Sequence, residues 1–412
     1  MAAILASPLQ TPSGLVFRNR LVKAAMAETM SEDGMPNEKH IQAYATWGTG
    51  GWGGLLTGNV DVSTVYKGSN QNVTVPGKIP PAMRDAWAQW ALATQKEGAA
   101  GIVQLVHPGR QSFAKTGDRG FFEKAIGPSA VPLRLGDGIF DRVLGMILFG
   151  TPKEMTLQDI DLVVQQFAAA AKHAHEAGFK GVEIHGAHGY IITQFLSPKS
   201  NLRQDAYGGT VAKRAQLAID VIRAIRNAVP ASFCVGIKLN SADVGGNESL
   251  EDSLEQVRLI AQEQVDFLEI SGGTFENLRT AKGDDTKATS TAKREAFFLD
   301  YAREVRARFP DVILMVTGGF RSRRGMVAAL ESGACDLVGL GRPAIVFPHL
   351  PRDVLLNEAV GDQDAVVDLA DVPPPWFLKS SKVVTAGAGS LYYVSQIKAI
   401  AAGQTPKAPP KV

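Results

Sequence analysis

The residues best placed to do chemistry lie in the run Gly181-Val-Glu-Ile-His-Gly-Ala-His-Gly-Tyr190. Its first half is short, apolar and β-branched, which suits a buried strand. Its second half is a glycine-punctuated loop carrying His185, His188 and Tyr190. Two imidazoles at the mouth of a strand can hydrogen-bond one oxygen, and a phenol two residues on can supply a proton while staying neutral near pH 7. That set would polarise a carbonyl and protonate its neighbouring carbon. A His-x-x-His pair also suggests zinc, but zinc needs further ligands and no cysteine or acidic cluster lies close by in sequence, so no metal is expected. Polar loop residues on a rigid scaffold are where chemistry usually sits. His173 and His175, in an Ala-rich helical stretch, have no assigned role.

The chain around this run alternates strand and helix. Strands are expected at 21–27, 54–59, 101–106, from 181, and at 233–239, 266–270, 312–316 and 336–339. Helices are expected at 38–47, 82–97, 157–177, 211–228, 250–264, 293–309 and 323–332, with a last one following Pro348. Thr156-x-x-Asp159 opens the third of these as a capping box. Eight such repeats predict a (β/α)8 TIM barrel with active groups at the strands' C-terminal ends. The G-x-G-x-x-G fingerprint of a doubly wound dinucleotide fold is absent where it should open the chain. A short hairpin is expected within 8–20, a long and therefore functional loop at 111–155, and a C-terminal extension. The division is a barrel over 1–360 and an extension over 361–412 that ends in a disordered tail.

On this fold the strand ends converge on one mouth. They are Ala25-Met26-Ala27, Gly58-Asn59, Gln104, the 185–190 group, Lys238, Ser271-Gly272-Gly273, Thr317-Gly318-Gly319 and Gly341-Arg342. The last two groups fall in the seventh and eighth repeats, where such barrels commonly bind phosphate on glycine backbone N–H groups and an arginine. Lys238 is expected to be an unpaired charge facing the mouth. It would need an anionic partner, such as the pyrimidine end of a flavin, and Gln104 could offer its amide to the same ring. The alternatives are a snorkelling surface lysine or the Schiff-base lysine of an aldolase. A barrel glycosidase would need two facing carboxylates, which the strand ends lack.

Of the 412 residues, 45% are hydrophobic and 20% charged, which supports a sizeable core. A net charge of +2 with dispersed Lys and Arg leaves no footprint for nucleic acid or an anionic membrane. Cys234 and Cys335 fall in or beside buried strands and are expected to be reduced core thiols. The N-terminus lacks the pattern of a signal peptide and no run reaches the length of a membrane span, so the cytoplasm is the expected compartment.

Residues 185–209, His-Gly-Ala-His-Gly-Tyr through Ser-Asn-Leu-Arg-Gln-Asp-Ala-Tyr-Gly-Gly, closely resemble the signature of the old yellow enzymes. Shorter matches run from Pro8-Leu9 and Asn19-Arg20-Leu21 to Gly339-Leu-Gly-Arg342-Pro. The resemblance implies an FMN-dependent ene-reductase on a (β/α)8 barrel. NAD(P)H would reduce FMN and leave, and an enone or enal would then take its place. His185 and His188 would hold the carbonyl oxygen, flavin N5 would give hydride to the β-carbon, and Tyr190 would protonate the α-carbon from the opposite face. Gln104, His185 and Lys238 would meet the flavin ring, with Ala25, Met26, Ala27 and Gly58 lining it. Gly318, Gly319, Gly341 and Arg342 would hold the phosphate. Ala27 stands where relatives usually carry Thr or Cys, and Lys238 replaces the commoner Arg, keeping charge but losing the fork. A homodimer is compatible with the resemblance, although 387–393 shows no arginine lent to a neighbour's site and its Tyr392 and Tyr393 are expected to pack. Two cysteines exclude the iron–sulfur segment of dienoyl-CoA reductases.

Overall fold

The computed structural model describes residues 2–120, 122–136, 138–241, 249–271, 289–372 and 382–410. Eight parallel strands close on themselves: β1 (Leu21–Lys23), β2 (Gly54–Asp61), β3 (Ala100–Val106), β4 (Gly181–Gly186), β5 (Cys234–Asn240), β6 (Phe267–Ser271), β7 (Leu314–Thr317) and β8 (Leu337–Leu340). Each pairs with its neighbour in sequence, and β1 pairs with both β2 and β8. The expected (β/α)8 barrel is what forms. β1 is shorter than its apolar run suggests. Its ladder ends where the Ala24 N–H donates to the Leu340 carbonyl (3.0 Å), and residues 25–27 leave the sheet towards the mouth.

The helices are α1 (Glu38–Gly48), α2 (Pro81–Thr94), α3 (Leu157–Glu176), α4 (Val211–Ala228), α5 (Leu250–Ala261), α6 (Thr289–Arg308), α7 (Arg323–Glu331) and α8 (Lys382–Ala401). α3 starts at the predicted capping box: Thr156 Oγ1 accepts from the Asp159 N–H (3.1 Å) and Asp159 Oδ2 from the Thr156 N–H (2.8 Å). The apolar faces of α1 and α2 meet through Tyr44, Trp47, Trp87 and Trp90, all fully buried. Aromatic side chains of this size remove the most apolar surface per residue. The first repeat is also stitched to the segment after β8: Trp47 Nε1 donates to the Ala344 carbonyl (2.8 Å) and Trp52 Nε1 to that of Pro348 (2.7 Å).

The hairpin pairs Leu9–Gln10 with Val16–Phe17. The long loop is not wholly irregular: Ile126–Gly127 pairs with Lys153–Glu154, and a helix spans Ile139–Leu148. Its inner side, Leu144 and Leu148, packs on Leu133, Leu135 and Phe149, while Ile139, Met146 and Ile147 stay exposed. The last helix expected after Pro348 is present, but not directly after it. A single wide turn spans Pro351–Leu355, and the long helix comes later, as α8 packed on α1. After α8 the chain runs back along it, the Lys407 N–H donating to Gln396 Oε1 (2.8 Å). Cys234 and Cys335 are buried and not joined in a disulfide, as expected. No helix among the described residues is long and apolar enough to cross a membrane.

Candidate active site

His185 occupies the end of β4 because strand alternation turns it to the barrel interior two residues above Glu183. Burial holds its imidazole neutral, its pKa well below the ordinary value, with the neighbouring His188 and Lys238 adding to that. Its Nδ1 accepts from the Ala187 N–H (3.3 Å), so Nε2 carries the hydrogen and points at His188 Nδ1 (3.2 Å). His188 Nε2 reaches Ser271 Oγ at 3.2 Å. The two imidazoles therefore bond to each other as well as facing the mouth, and an oxygen docking on both must replace that bond.

His188 sits at φ +58, a left-handed conformation that a non-glycine residue adopts only when its surroundings enforce it. The enforcement is visible. The His188 N–H donates to Asn240 Oδ1 (3.1 Å), and its carbonyl accepts from Gln111 Nε2 (3.1 Å). Gln194 then staples this loop to the one after β3, donating to the Gly189 (2.8 Å) and Pro108 (3.0 Å) carbonyls and accepting from the Arg110 N–H (3.1 Å). Tyr190 stacks edge-on to His185, ring centres 4.6 Å apart, and its hydroxyl accepts from Asn59 Nδ2 (3.2 Å). Burial pushes the phenol up to about 12, so it keeps its proton at neutral pH.

Lys238 corrects the sequence expectation. It is neither unpaired nor a surface lysine, but buried inside the barrel with Nζ 3.0 Å from Glu269 Oε1 and 3.8 Å from Glu183 Oε1. The barrel register brings these residues together: Lys238 lies beside His185 of β4 on one side and Glu269 of β6 on the other. Burial alone would strip the lysine's proton, but the Glu269 carboxylate, then Glu183, outweighs it and keeps the ammonium charged. Glu269 is held ionised by Lys238 against the effect of burial, whereas burial and then the Glu269 charge push Glu183 up to its neutral form. A charged lysine is a poor amine nucleophile, which counts against the aldolase alternative. Gln104 shares the layer, its Nε2 donating to Glu183 Oε1 at 2.6 Å. A second interior lysine, Lys23, has no counterpart in the sequence reading; burial pulls it down to about 8. Its Nζ donates to the Leu56 carbonyl (2.9 Å) and lies over the Trp47 ring.

The opposite side of the mouth is made of backbone. Gly318 and Gly319 leave β7 at φ +140 and +83, and Gly341 precedes the short helix Arg342–Val346. Arg342 is half-exposed, its Nη1 3.9 Å from Asp371 and its guanidinium over the Tyr393 ring. Such an open pair is weak and leaves the cation accessible to another anion. Tyr393 is buried in the core, as packing requires. Between the two sides, Ala25 and Met26 are part-exposed and Ala27 exposed, while a Cβ at Gly341 would come within 3.1 Å of Met26 Sδ. These small or flexible side chains, with Lys238 and Gln104 at the ends of β5 and β3 and glycine N–H groups after β7 and β8, fit a planar ring carrying an anionic tail. Gly272 and Gly273 lie outside the described residues.

The sequence reading passed over Asn240, Gln111, Gln194, Glu183, Glu269 and Lys23. Asn59 it placed at a strand end but gave no role. The two glutamates carried a signal, since a carboxylate inside an apolar strand must find a partner.

A closed (β/α)8 barrel with two imidazoles and a phenol on one side of its mouth and glycine backbone on the other defines the general class. The chain itself belongs to the NADH:flavin oxidoreductase / NADH oxidase family, whose model matches residues 5–358. It is 42% identical over 384 residues to the NADH-dependent flavin oxidoreductase iliE of Hypocrea jecorina, covering 92% of this chain and 96% of that protein. It is 45% identical over 387 residues to the iliE protein of Neonectria sp., covering 90% of this chain but only 50% of that longer protein. The old yellow enzyme homologue from Zymomonas mobilis superposes with a TM-score of 0.67 at 23% identity, over 84% of this chain and 91% of that one; this likeness is one of fold. The family defines the chain as an oxidoreductase working with a flavin and a nicotinamide.

Proposed function

We propose that the protein is an FMN-dependent ene-reductase that reduces the activated C=C bond of α,β-unsaturated carbonyl compounds at the expense of NAD(P)H in a ping-pong cycle. The observation that carries this reading is the bonded His185–His188 pair, its buried His185 imidazole neutral, beside a protonated Tyr190, all at one strand end of a family barrel. When bound, FMN supplies the hydride chemistry. Ala25, Met26, Ala27, Gly58 and Gln104 would border its ring, with His185 against the same surface. Lys238 would offer its charge to the ring's pyrimidine edge, shared with Glu269. Gly318, Gly319, Gly341 and Arg342 would hold the phosphate through N–H groups and one cation.

The chain's own contribution to the chemical step is then polarisation and protonation. His185 Nε2–H and His188 donate to the substrate carbonyl oxygen and stabilise the charge that develops there. Tyr190 delivers its phenolic proton to the α-carbon as general acid. The fungal relatives are named as NADH-dependent, which makes NADH the first donor to try. The test is the visible spectrum of purified protein before and after anaerobic NADH, then with cyclohexenone. A yellow protein that bleaches and is recoloured by the enone supports the reading. One that recolours only in air contradicts it.

A further inference from the structure

We propose that Asn59 is the positioning residue of Tyr190: a bulge in β2 turns its side-chain amide to the mouth, where it donates to the phenol oxygen and leaves the phenol hydrogen directed at the substrate. This rests on Tyr190 being the proton donor. The register supplies the first observation. Leu56 pairs with Ile102 and Asn59 with Gln104, so β2 spends three steps where β3 spends two. One extra residue in a strand re-aims every side chain beyond it, and such bulges recur beside active sites.

The bulge is built, not incidental. The ladder bond it breaks is replaced by Thr57, whose Oγ1 accepts from the Gln104 N–H (3.0 Å) and donates to the Gly58 carbonyl (2.9 Å). The Gly58 N–H, turned out of the ladder, donates to Glu28 Oε1 (2.7 Å), and the Tyr44 hydroxyl donates to the same oxygen. Only glycine fits there, because a Cβ would lie 2.0 Å from Glu28 Oε2 and 2.5 Å from the Met26 carbonyl. Glu28, Tyr44 and Thr57 are buried. What they fix is the direction of Asn59.

The chemistry of the contact follows from the donor. An amide N–H can only give a hydrogen bond, so the Tyr190 oxygen accepts from Asn59 Nδ2 and its own hydrogen is left for another acceptor. The same bond favours the phenolate that remains after the proton has gone. It opposes the two effects that hold the phenol protonated, burial first and then the charge of Asp61. The groups acting on this oxygen are thus Asn59 and Asp61 from β2, with the neutral His185 ring of β4 against the phenol face. In the step itself the Tyr190 O–H bond breaks, a C–H bond forms at the α-carbon, and the charge released is received by a phenolate under the Asn59 amide.

The test compares Asn59→Leu and Asn59→Asp, both close in size to Asn, as FMN-loaded proteins. After reduction by NADH, mixing with cyclohexenone is expected to reoxidise Asn59→Leu about tenfold more slowly than the parent, the value of one hydrogen bond to a charged group. Asn59→Asp is expected to be slower still, because a carboxylate takes the phenol hydrogen for itself. Reduction by NADH and FMN affinity stay unchanged. A readout without turnover is the 19F titration of fluorotyrosine placed at position 190, which shifts to higher pH in Asn59→Leu. An Asp variant as fast as the Leu variant, or a fluorotyrosine titration that does not move, overturns the proposal. A Tyr190→Phe protein that reoxidises normally overturns the proton-donor reading, while the fluorotyrosine shift still upholds the Asn59 contact.

Discussion

The two sides of the barrel mouth are built from different materials. After β4, every group is fixed by a side-chain bond: Asn240 and Gln111 clamp the strained His188, Gln194 staples its loop, and Asn59 holds Tyr190. After β7 and β8, position is set by backbone conformation, in glycines at positive φ and a short helix start, with one loosely paired arginine. The difference matches what the proposed function asks of each side. Moving a proton or polarising one oxygen requires placement to a fraction of an ångström, since rate falls steeply with misalignment. Holding a multiply charged group requires only several N–H dipoles aimed at one place.

Between them lies the interior layer of Lys238, Glu183 and Glu269, and breaking it should give the largest loss. Lys238→Met leaves Glu269 buried without its counter-charge, a change that costs about 3 kcal/mol or more of folding stability. Urea unfolding measures it. A loss below about 1 kcal/mol would mean the carboxylates simply take up protons, with little held by the ion pair.

Gly319→Ala sharpens the contrast on the glycine side. Its φ of +83 costs an L-residue about 1–2 kcal/mol, so the variant's backbone is expected to relax and re-aim the N–H at position 319, weakening FMN binding by roughly tenfold. Reoxidation of the loaded enzyme by an enone should keep its rate. A slower rate at full FMN occupancy would show that the two sides are not separable.

An effect that appears only as a pH dependence is expected at Asp61, just beyond Asn59. Burial raises its carboxyl from the usual 3.8 to about 7, although Asn72 and the Gly68 N–H pull the other way. A carboxyl whose folded pKa is raised contributes stability that is full below the unfolded value and is lost as pH rises through the folded one. Parent stability should therefore decline relative to Asp61→Asn between about pH 4 and 7. Parallel stability–pH curves for the two proteins would contradict this.

The parts of this architecture legible in the sequence are those written locally. Eight apolar strands separated by helical spacing announce the barrel, and Thr156 with Asp159 announce the start of α3. The 185–190 group is legible because its three polar side chains share one loop. Lys238 was misjudged because its partners lie on two other strands, and only barrel closure puts Glu183 and Glu269 beside it. The β2 bulge was invisible for a similar reason. Thr57-Gly58-Asn59 reads as the end of an ordinary strand until Glu28 and Tyr44, from other elements, are seen holding Gly58 out of the ladder. Register and bulges are properties of pairs of strands, and hydrophobic periodicity within one strand does not encode them.

The central claim is that the polar side of the mouth polarises a carbonyl and delivers the Tyr190 proton. It is tested most directly by rapid-mixing measurement of both half-reactions in Tyr190→Phe. Loss of a general acid typically costs about 10²–10⁴-fold, so reoxidation by cyclohexenone should slow by that order while reduction by NADH keeps its rate. Equal slowing of both half-reactions, or none in either, would contradict it.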